Sequence, residues 1–370
     1  MTDTLSDQPP ITVPAGPQRT PADERARILE NPGFGKVFTD HMVTMRWSSP
    51  EGWSPAELSA YQPLMLDPSA TVLHYGQAIF EGLKAYHQAD GGIATFRPDA
   101  NAARFARSAA RLAMPAVPAD AFVDAVDDLV RADRDWIPTG PEKSLYLRPF
   151  MISTEAFLGV RPANRYLFLV IASPAGAYFP QGVAPVSVYI SEDFVRAAPG
   201  GTGAAKAAGN YAASLLAQQQ AAAEGCDQVV WIDAVDRRYV EEMGGMNLFF
   251  VLGAGAGAEL VTPELTGTLL AGITRDSLIT LARDAGYRVT ERRFSVQEWR
   301  EGATDGSLSE TFACGTAAVI TPVGQVKART GDFTIADGGS GPITLQLRQA
   351  LLDLQHGRVA DPRGWVHRIT

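Results

Sequence analysis

The chain has five lysines, Lys36, Lys84, Lys143, Lys206 and Lys327, and one of them has the surroundings of a nucleophile. Lys206 stands in Gly201-Thr202-Gly203-Ala204-Ala205-Lys206-Ala207-Ala208-Gly209-Asn210-Tyr211, with small or apolar flanks and no acidic residue within ten positions on either side. A lysine withdrawn from water has a depressed pKa and attacks carbonyls. The bland reading of such a stretch is a glycine turn before a helix, carrying an incidental surface lysine. A phosphate-binding loop is excluded, because Ala205 rather than Gly precedes the lysine and Ala207 replaces the hydroxyl residue.

Three further stretches fit the same chemistry. Glu241-Glu242-Met243-Gly244-Gly245-Met246-Asn247 enters an apolar strand. A carboxylate there is suited to lie beside the ring nitrogen of a cofactor and keep it protonated, so that the ring can act as an electron sink. An acidic pair at a turn is, by itself, more often a solvated edge. Gly272-Ile273-Thr274-Arg275 opens a helix whose free N–H groups can cradle a phosphate. Gly315-Thr316-Ala317-Ala318 offers a hydroxyl and small residues that let backbone N–H groups approach a ligand. The two cysteines, Cys226 and Cys314, allow neither a disulfide framework nor a zinc spacing. The five histidines, His41, His74, His87, His356 and His367, never recur at i, i+4, so no metal site is expected.

The elements that must position these residues are legible in part. Strand-like sequence begins near Phe38 and runs to Trp47. Phe122, Val126, Leu129 and Val130 mark a helix over 120–135, stopped by Pro138. Strands are expected at Leu145–Ile152 and Tyr166–Ala172. The segment 173–184, with Pro174, Gly176, Pro180 and Gly182, reads as an interdomain connection. Strands follow at 186–190, 229–233 and 247–252. A helix is expected over 207–224, closed by Gly225, and another is capped by Thr274 and closed by Gly286. Strands outnumber helices and often follow one another directly, which favours an α+β fold over a regular doubly wound sheet.

A length of 370 residues suggests two domains at roughly 100–200 residues each. The expected division is an arm over 1–30, a small α/β domain over 31–172, the connection 173–184 and a large domain over 185–370 that carries Lys206. The arm is read as flexible because its first twenty residues are polar and hold four prolines. A net charge of −9 disfavours nucleic acid and anionic membranes as partners. The acids Asp3 and Asp7 before the first basic residue, Arg19, read against a leader, and no apolar run of about 18 residues is seen, so the cytoplasm is the expected location.

Taken together, the motifs resemble the branched-chain amino-acid aminotransferases, which are fold-type IV pyridoxal-phosphate enzymes. The likeness runs from Pro32 to about Asp361. It is carried by Phe34 to Met42, by His74-Tyr75-Gly76-Gln77-Ala78-Ile79-Phe80-Glu81-Gly82-Leu83-Lys84-Ala85-Tyr86, by Leu145-Tyr146-Leu147-Arg148-Pro149, by Gly201 to Tyr211 and by Glu242 to Phe249. The resemblance implies pyridoxal 5′-phosphate held by Lys206 as a Schiff base, with the same lysine then shuttling the proton. It implies that Glu242 pairs with the pyridine nitrogen and Tyr211 with the phenolic oxygen. Arg104 would bind the phosphate, with Ile273, Thr274 and Thr316 completing the cup, and Arg196 matches a family arginine near the cofactor.

On the substrate side the resemblance implies aromatic walls from Phe34, Tyr75, Tyr146 and Tyr178. Arg148 would meet the γ-carboxylate of glutamate, and the N–H groups of Ala317 and Ala318 the α-carboxylate. Tyr75 would come from the neighbouring subunit, so a homodimer is implied. The expected reaction moves the amino group between L-leucine, L-isoleucine or L-valine and 2-oxoglutarate. The alternatives of the same fold type, a D-amino-acid aminotransferase or an aminodeoxychorismate lyase, are opposed by Phe34 and by the Tyr146/Arg148 pair. Two departures stand out. Ala318 and Thr321 replace a redox Cys-x-x-Cys of animal relatives, and Gly245 replaces a threonine found in some others.

Overall fold

The strand Ser144–Ser153 shows how the fold presents a site. Its residues alternate between fully and partly buried, as a two-residue period requires. Leu145, Leu147 and Met151 point into a core with Phe105, Phe122, Val126 and Phe168, while Tyr146 and Arg148 point the other way. Helices Pro98–Arg111 and Ala119–Ala132 cover the core face. Phe105 meets Phe122 and Phe168 with ring centroids 5.4 and 5.5 Å apart. Each such buried side chain contributes roughly 1.5–3 kcal/mol of transfer free energy.

The structure is a computed structural model and describes residues 19–176 and 183–369. Among these residues there are two nine-stranded sheets, and the fold is α+β. Neighbouring strands of the first sheet are antiparallel. Its order runs Val366–Ile369, Ile93–Phe96, Leu83–His87, Ser144–Ser153, Arg165–Ala175, His41–Ser48 and Gly52–Trp53, with two short strands off this path. The second sheet mixes senses. Strand Val186–Ser191 lies parallel to both Gln228–Ile232 and Val319–Lys327. Strand Met246–Leu252 is buried on both faces, which accounts for the apolar run Leu248-Phe249-Phe250-Val251-Leu252 within it. Phe249 stacks on Phe312 at 5.1 Å, on the side of helices Ile273–Asp284 and Pro342–Gln355. Phe250 packs on Phe294 and Trp299 on the other side.

Several elements differ from the expectation. The single helix expected over 207–224 is two, Ala208–Ala212 and Leu215–Ala223. The break falls where the Ser214 hydroxyl donates to the Tyr211 carbonyl at 2.7 Å, a local bond that competes with helix continuation. Thr274 does not cap its helix. The cap is Gly272, and Thr274 is the second helical residue. Within the segment expected as an arm, residues Ala22–Glu30 form a helix, and Thr20 is tied to Asp40 through its N–H at 3.0 Å and its hydroxyl at 2.6 Å. The strand expected near Phe38 starts at His41. Strand Arg165–Ala175 extends three residues into the expected connection. The last strand, Val366–Ile369, returns to the first sheet by pairing with Ile93–Phe96. No helix of the described residues is long and apolar enough to cross a membrane.

Candidate active site

Lys206 sits where the two sheets are stitched together. Its N–H donates to Ser108 Oγ at 3.0 Å, and its carbonyl accepts from the Phe80 N–H at 3.1 Å. Both partners belong to the first sheet and its helix, and Ala207 forms a β-bridge to Ile79. The loop comes in this close because Gly203 has no side chain: a Cβ there would stand 2.2 Å from the Thr268 carbonyl. The Lys206 side chain is half-buried. Its Nζ donates to Tyr211 Oη at 3.0 Å and lies 4.9 Å from the Phe80 ring centroid. Tyr211 in turn packs on Phe80 at 4.7 Å.

Glu242, on strand Val240–Met243, is 1% exposed. One carboxylate oxygen accepts from the Leu270 N–H at 2.5 Å. The other lies 2.9 Å from Arg196 Nε, at ion-pair distance but without hydrogen-bond alignment, and so has no hydrogen-bond donor of its own. Arg196 is held by the carbonyls of Gly203 and Thr268. Burial pushes the Glu242 carboxyl above its ordinary range, and the Arg196 and Lys206 cations offset that only in part. A further cationic N–H donor at the free oxygen would therefore be stabilised. Glu241 is not part of this arrangement. It accepts from the Thr268 hydroxyl instead.

Arg104 projects from helix Pro98–Arg111 and is 4% exposed. Nε and Nη2 grip the two oxygens of Glu81 at 2.6 and 2.8 Å, and Nη1 donates to the Ala271 carbonyl at 3.1 Å. That contact places the guanidinium at the start of helix Ile273–Asp284, whose Gly272 cap offers no side chain to the first-turn N–H groups. Such a helix end, beside an arginine, has the chemistry to receive an anion. Thr316, Ala317 and Ala318 form the turn between strands Leu308–Gly315 and Val319–Lys327. The Ala317 carbonyl accepts from Lys84 Nζ at 2.8 Å. Lys84 lies directly across the sheet from Tyr146, so the turn is anchored to the first sheet.

The side-chain face of strand Ser144–Ser153 continues the site. Phe34 meets Tyr146 edge-on at 5.0 Å. Arg148 Nη2 donates to Tyr146 Oη at 3.1 Å, and the guanidinium lies 4.8 Å from the Phe80 ring. The Nε of Arg148 is buried without a partner. Phe34, Tyr146, Arg148, Phe80, Tyr211 and Lys206 thus form one chain of contacts. Tyr75 is outside it: the residue is 45% exposed and its hydroxyl donates to the Leu158 carbonyl. Tyr178 lies outside the described residues. Four contributors were not singled out from the sequence: Phe80, Glu81, Lys84 and Ser108. Glu81 carried a readable signal, as an acid between the apolar stretch Ala78-Ile79-Phe80 and Gly82-Leu83.

This architecture and site have known counterparts. Residues 78–326 match the family described as amino-transferase class IV. A branched-chain-amino-acid aminotransferase of Mycolicibacterium smegmatis is 60% identical over 97% of this chain and 99% of its own length. Branched-chain-amino-acid transaminase 1 of Bacillus subtilis is 45% identical over 91% and 94%. Among solved structures, the Escherichia coli branched-chain amino acid aminotransferase superposes with a TM-score of 0.73 at 30% identity, covering 88% of this chain and 99% of that one. The branched-chain amino acid aminotransferase of Thermobaculum terrenum, in its PLP form, gives 0.71 at 27% identity, over 88% and 98%. The chain belongs to the class IV aminotransferases. Within that class it is a member of the branched-chain-amino-acid aminotransferase family.

Proposed function

We propose that this enzyme transfers the amino group between L-leucine, L-isoleucine or L-valine and 2-oxoglutarate, in two half-reactions, using pyridoxal 5′-phosphate bound at Lys206. The observation that carries this reading is Arg148. A guanidinium with an unpartnered, buried Nε stands in an aromatic wall of Phe34, Tyr146 and Phe80. An apolar wall suits a branched side chain, and a buried cation with spare N–H groups suits the γ-carboxylate of glutamate.

The residues fit the cofactor. The oxygen of Glu242 that lacks a donor suits a protonated ring nitrogen, and Tyr211 suits the phenolic oxygen. Arg104, with the N–H groups of Ile273 and Thr274 and the Thr316 hydroxyl, suits the phosphate. When bound, the cofactor supplies a carbonyl that condenses with the amino group and a ring that accepts the electron pair of the Cα–H bond. Lys206 Nζ is the group that takes the proton from the substrate Cα and returns it on the other side of the transfer. Arg196 favours the carboxylate form of Glu242. The N–H groups of Ala317 and Ala318, on the turn anchored by Lys84, receive the α-carboxylate.

The working form we propose is a cytoplasmic homodimer in which Tyr75 completes the partner's pocket. The exposure of Tyr75 together with Leu73, Leu158 and Val160, the last 87% exposed, supports a surface that another subunit covers. A panel of single half-reactions across L- and D-amino acids tests the proposal. L-leucine, L-isoleucine, L-valine and L-glutamate should convert the cofactor's visible absorption, D-amino acids should not, and Lys206→Ala should lose the conversion. Retained full activity in Lys206→Ala would sink it.

A further inference from the structure

On the far side of the hairpin that leads to Glu242 is a surface cavity of about 410 Å³, lined by Arg237, Arg238 and Arg300 over a floor of Ile190, Ile232 and Val296. Its construction is firm. Residues 233–239 form a tight turn in which Asp233 accepts the N–H groups of Val235, Asp236, Arg238 and Tyr239. The Arg238 carbonyl accepts from the Val296 N–H at 2.9 Å, and Tyr239 bridges Ser295. Arg237 holds a left-handed backbone with φ 55°, a conformation that disfavours a non-glycine residue. It donates to the Glu192 carbonyl.

The charges in this cavity are not balanced by the protein. Arg300 donates to the Thr330 hydroxyl at 2.9 Å and the Gly331 carbonyl at 2.7 Å, and Arg238 lies over the Tyr239 ring. None of the three arginines reaches a carboxylate among the described residues. Of the nearby acids, Asp193 pairs with Arg329, Asp236 with Arg293 and Glu298 with Arg292, while Asp233 accepts the N–H groups of its own turn and Glu301 accepts from Gln297. Glu192 is the single acid on the lining. Three guanidinium groups gathered against one carboxylate, in a chain of net charge −9, leave a local excess of positive charge that a multivalent anion would relieve.

We infer that this cavity binds a small organic phosphate, with the arginines on the phosphate and the isoleucine and valine floor under an apolar or aromatic body. The cavity volume falls in the range of small-molecule sites, and guanidinium forks match phosphate oxygens two at a time. The hairpin runs directly into strand Val240–Met243, so the ligand would rest on the element that carries Glu242.

The test is calorimetric titration of the holoenzyme, whose own phosphate cup is already filled, with AMP and separately with inorganic phosphate at constant ionic strength. The expected result is saturable AMP binding, tighter than that of inorganic phosphate, and weakened at least about tenfold in Arg238→Ala/Arg300→Ala. Because Arg300 also packs on Phe333, the exposed single variant Arg238→Glu is measured beside it and should lose binding with an unchanged thermal transition. Absence of saturable binding, or equal binding in Arg238→Glu, overturns the site. Equal affinity for AMP and inorganic phosphate overturns the role of the apolar floor.

Discussion

Arg104 and Glu81 face each other as a two-point ion pair, Nε to Oε1 at 2.6 Å and Nη2 to Oε2 at 2.8 Å, with both side chains buried. The guanidinium plane is thereby fixed, and its remaining Nη1 is aimed at Ala271 and the start of the helix that opens with Ile273. Asn101 adds a donor to Glu81 at 2.7 Å. Glu81 is thus a positioning residue for the arginine expected to hold the cofactor phosphate.

Glu81→Gln keeps the shape but removes the charge. Stability should fall by about 3–5 kcal/mol in urea unfolding, because a buried guanidinium loses its counter-charge, and the cofactor should dialyse away more readily. The acid side carries a further signature. Burial pushes the Glu81 carboxyl up, but Arg104 and Lys206 outweigh it and hold it below its ordinary value. As pH falls, the unfolded chain takes up the proton first. The pair's contribution is complete above the ordinary value of 4.5 and is lost as pH drops through the lower folded value. The wild-type protein should show that acid-side slope, and Glu81→Gln should show less of it.

Lys84 gives a prediction on the alkaline side. Burial lowers its ammonium to about 8, with Glu142 opposing and Arg348 adding to the effect. Glu142 and Arg348 pair with each other at 2.6 Å. Below about pH 8 the charged amine anchors the Ala317 carbonyl beside the turn expected to receive the α-carboxylate. The KM for 2-oxo acids should therefore rise as pH passes about 8, while Lys84→Met should start high and stay flat over the same range. Stability moves the other way: between about 8 and 10.5 the unfolded lysine binds more protons than the folded one, so the cost of burying the charge fades as pH rises. A KM profile that is identical in the variant would remove Lys84 from this role.

Gly82→Ala probes the pocket wall. A Cβ at Gly82 would stand 2.1 Å from Tyr146 Oη, so the tyrosine must move and take its bond to Arg148 with it. Overpacking of this kind costs roughly 1–3 kcal/mol. The KM values for L-leucine and L-glutamate should both rise, since Tyr146 touches Phe34 on one side and Arg148 on the other. The cofactor's absorption should stay intact, because the atoms nearest the added Cβ all belong to Tyr146. Loss of bound cofactor in Gly82→Ala would show instead that the neighbouring Glu81–Arg104 pair had been displaced.

What the sequence discloses about this site depends on how local the determining physics is. Lys206 is legible because a lone lysine among small residues is rare and its motif is contiguous. Tyr146 and Arg148 are legible through the family resemblance, and the two-residue period of their strand then explains why they share one face. Glu81 stands out locally as an acid beside apolar residues, but its role is not legible, because its reason for being buried is Arg104, 23 residues away, and no periodicity links the two. Lys84 is similar, since its acceptor at Ala317 is 233 residues distant. The helix break at Ala213-Ser214 is hidden because the residues beyond it, Leu215 to Ala223, are good helix formers, and the break itself is made by the Ser214 hydroxyl and N–H both donating to the Tyr211 carbonyl. The return of Val366–Ile369 to the first sheet is set by its pairing with Ile93–Phe96, a long-range register that local pattern does not encode.

Arg148 separates the two kinds of substrate. Its guanidinium is held by Tyr146 Oη and by the face of the Phe80 ring, and its Nε is left without a partner. A hydrogen bond to a charged group is worth about 1.5–3 kcal/mol, which corresponds to roughly 10–100-fold in affinity. Arg148→Gln should therefore raise the KM for 2-oxoglutarate and L-glutamate by about that factor. The half-reaction with L-leucine, which places no carboxylate there, should change much less. Lysine is a weaker replacement than its charge suggests, because it lacks the planar fork that stacks on Phe80 and offers two parallel donors. Arg148→Lys should recover part of the glutamate affinity and no more. The measurement is the pair of single half-reactions, followed by cofactor absorption in wild type and both variants. If leucine and glutamate lose equally in Arg148→Gln, then Arg148 serves only to hold Tyr146, and the γ-carboxylate must be bound elsewhere.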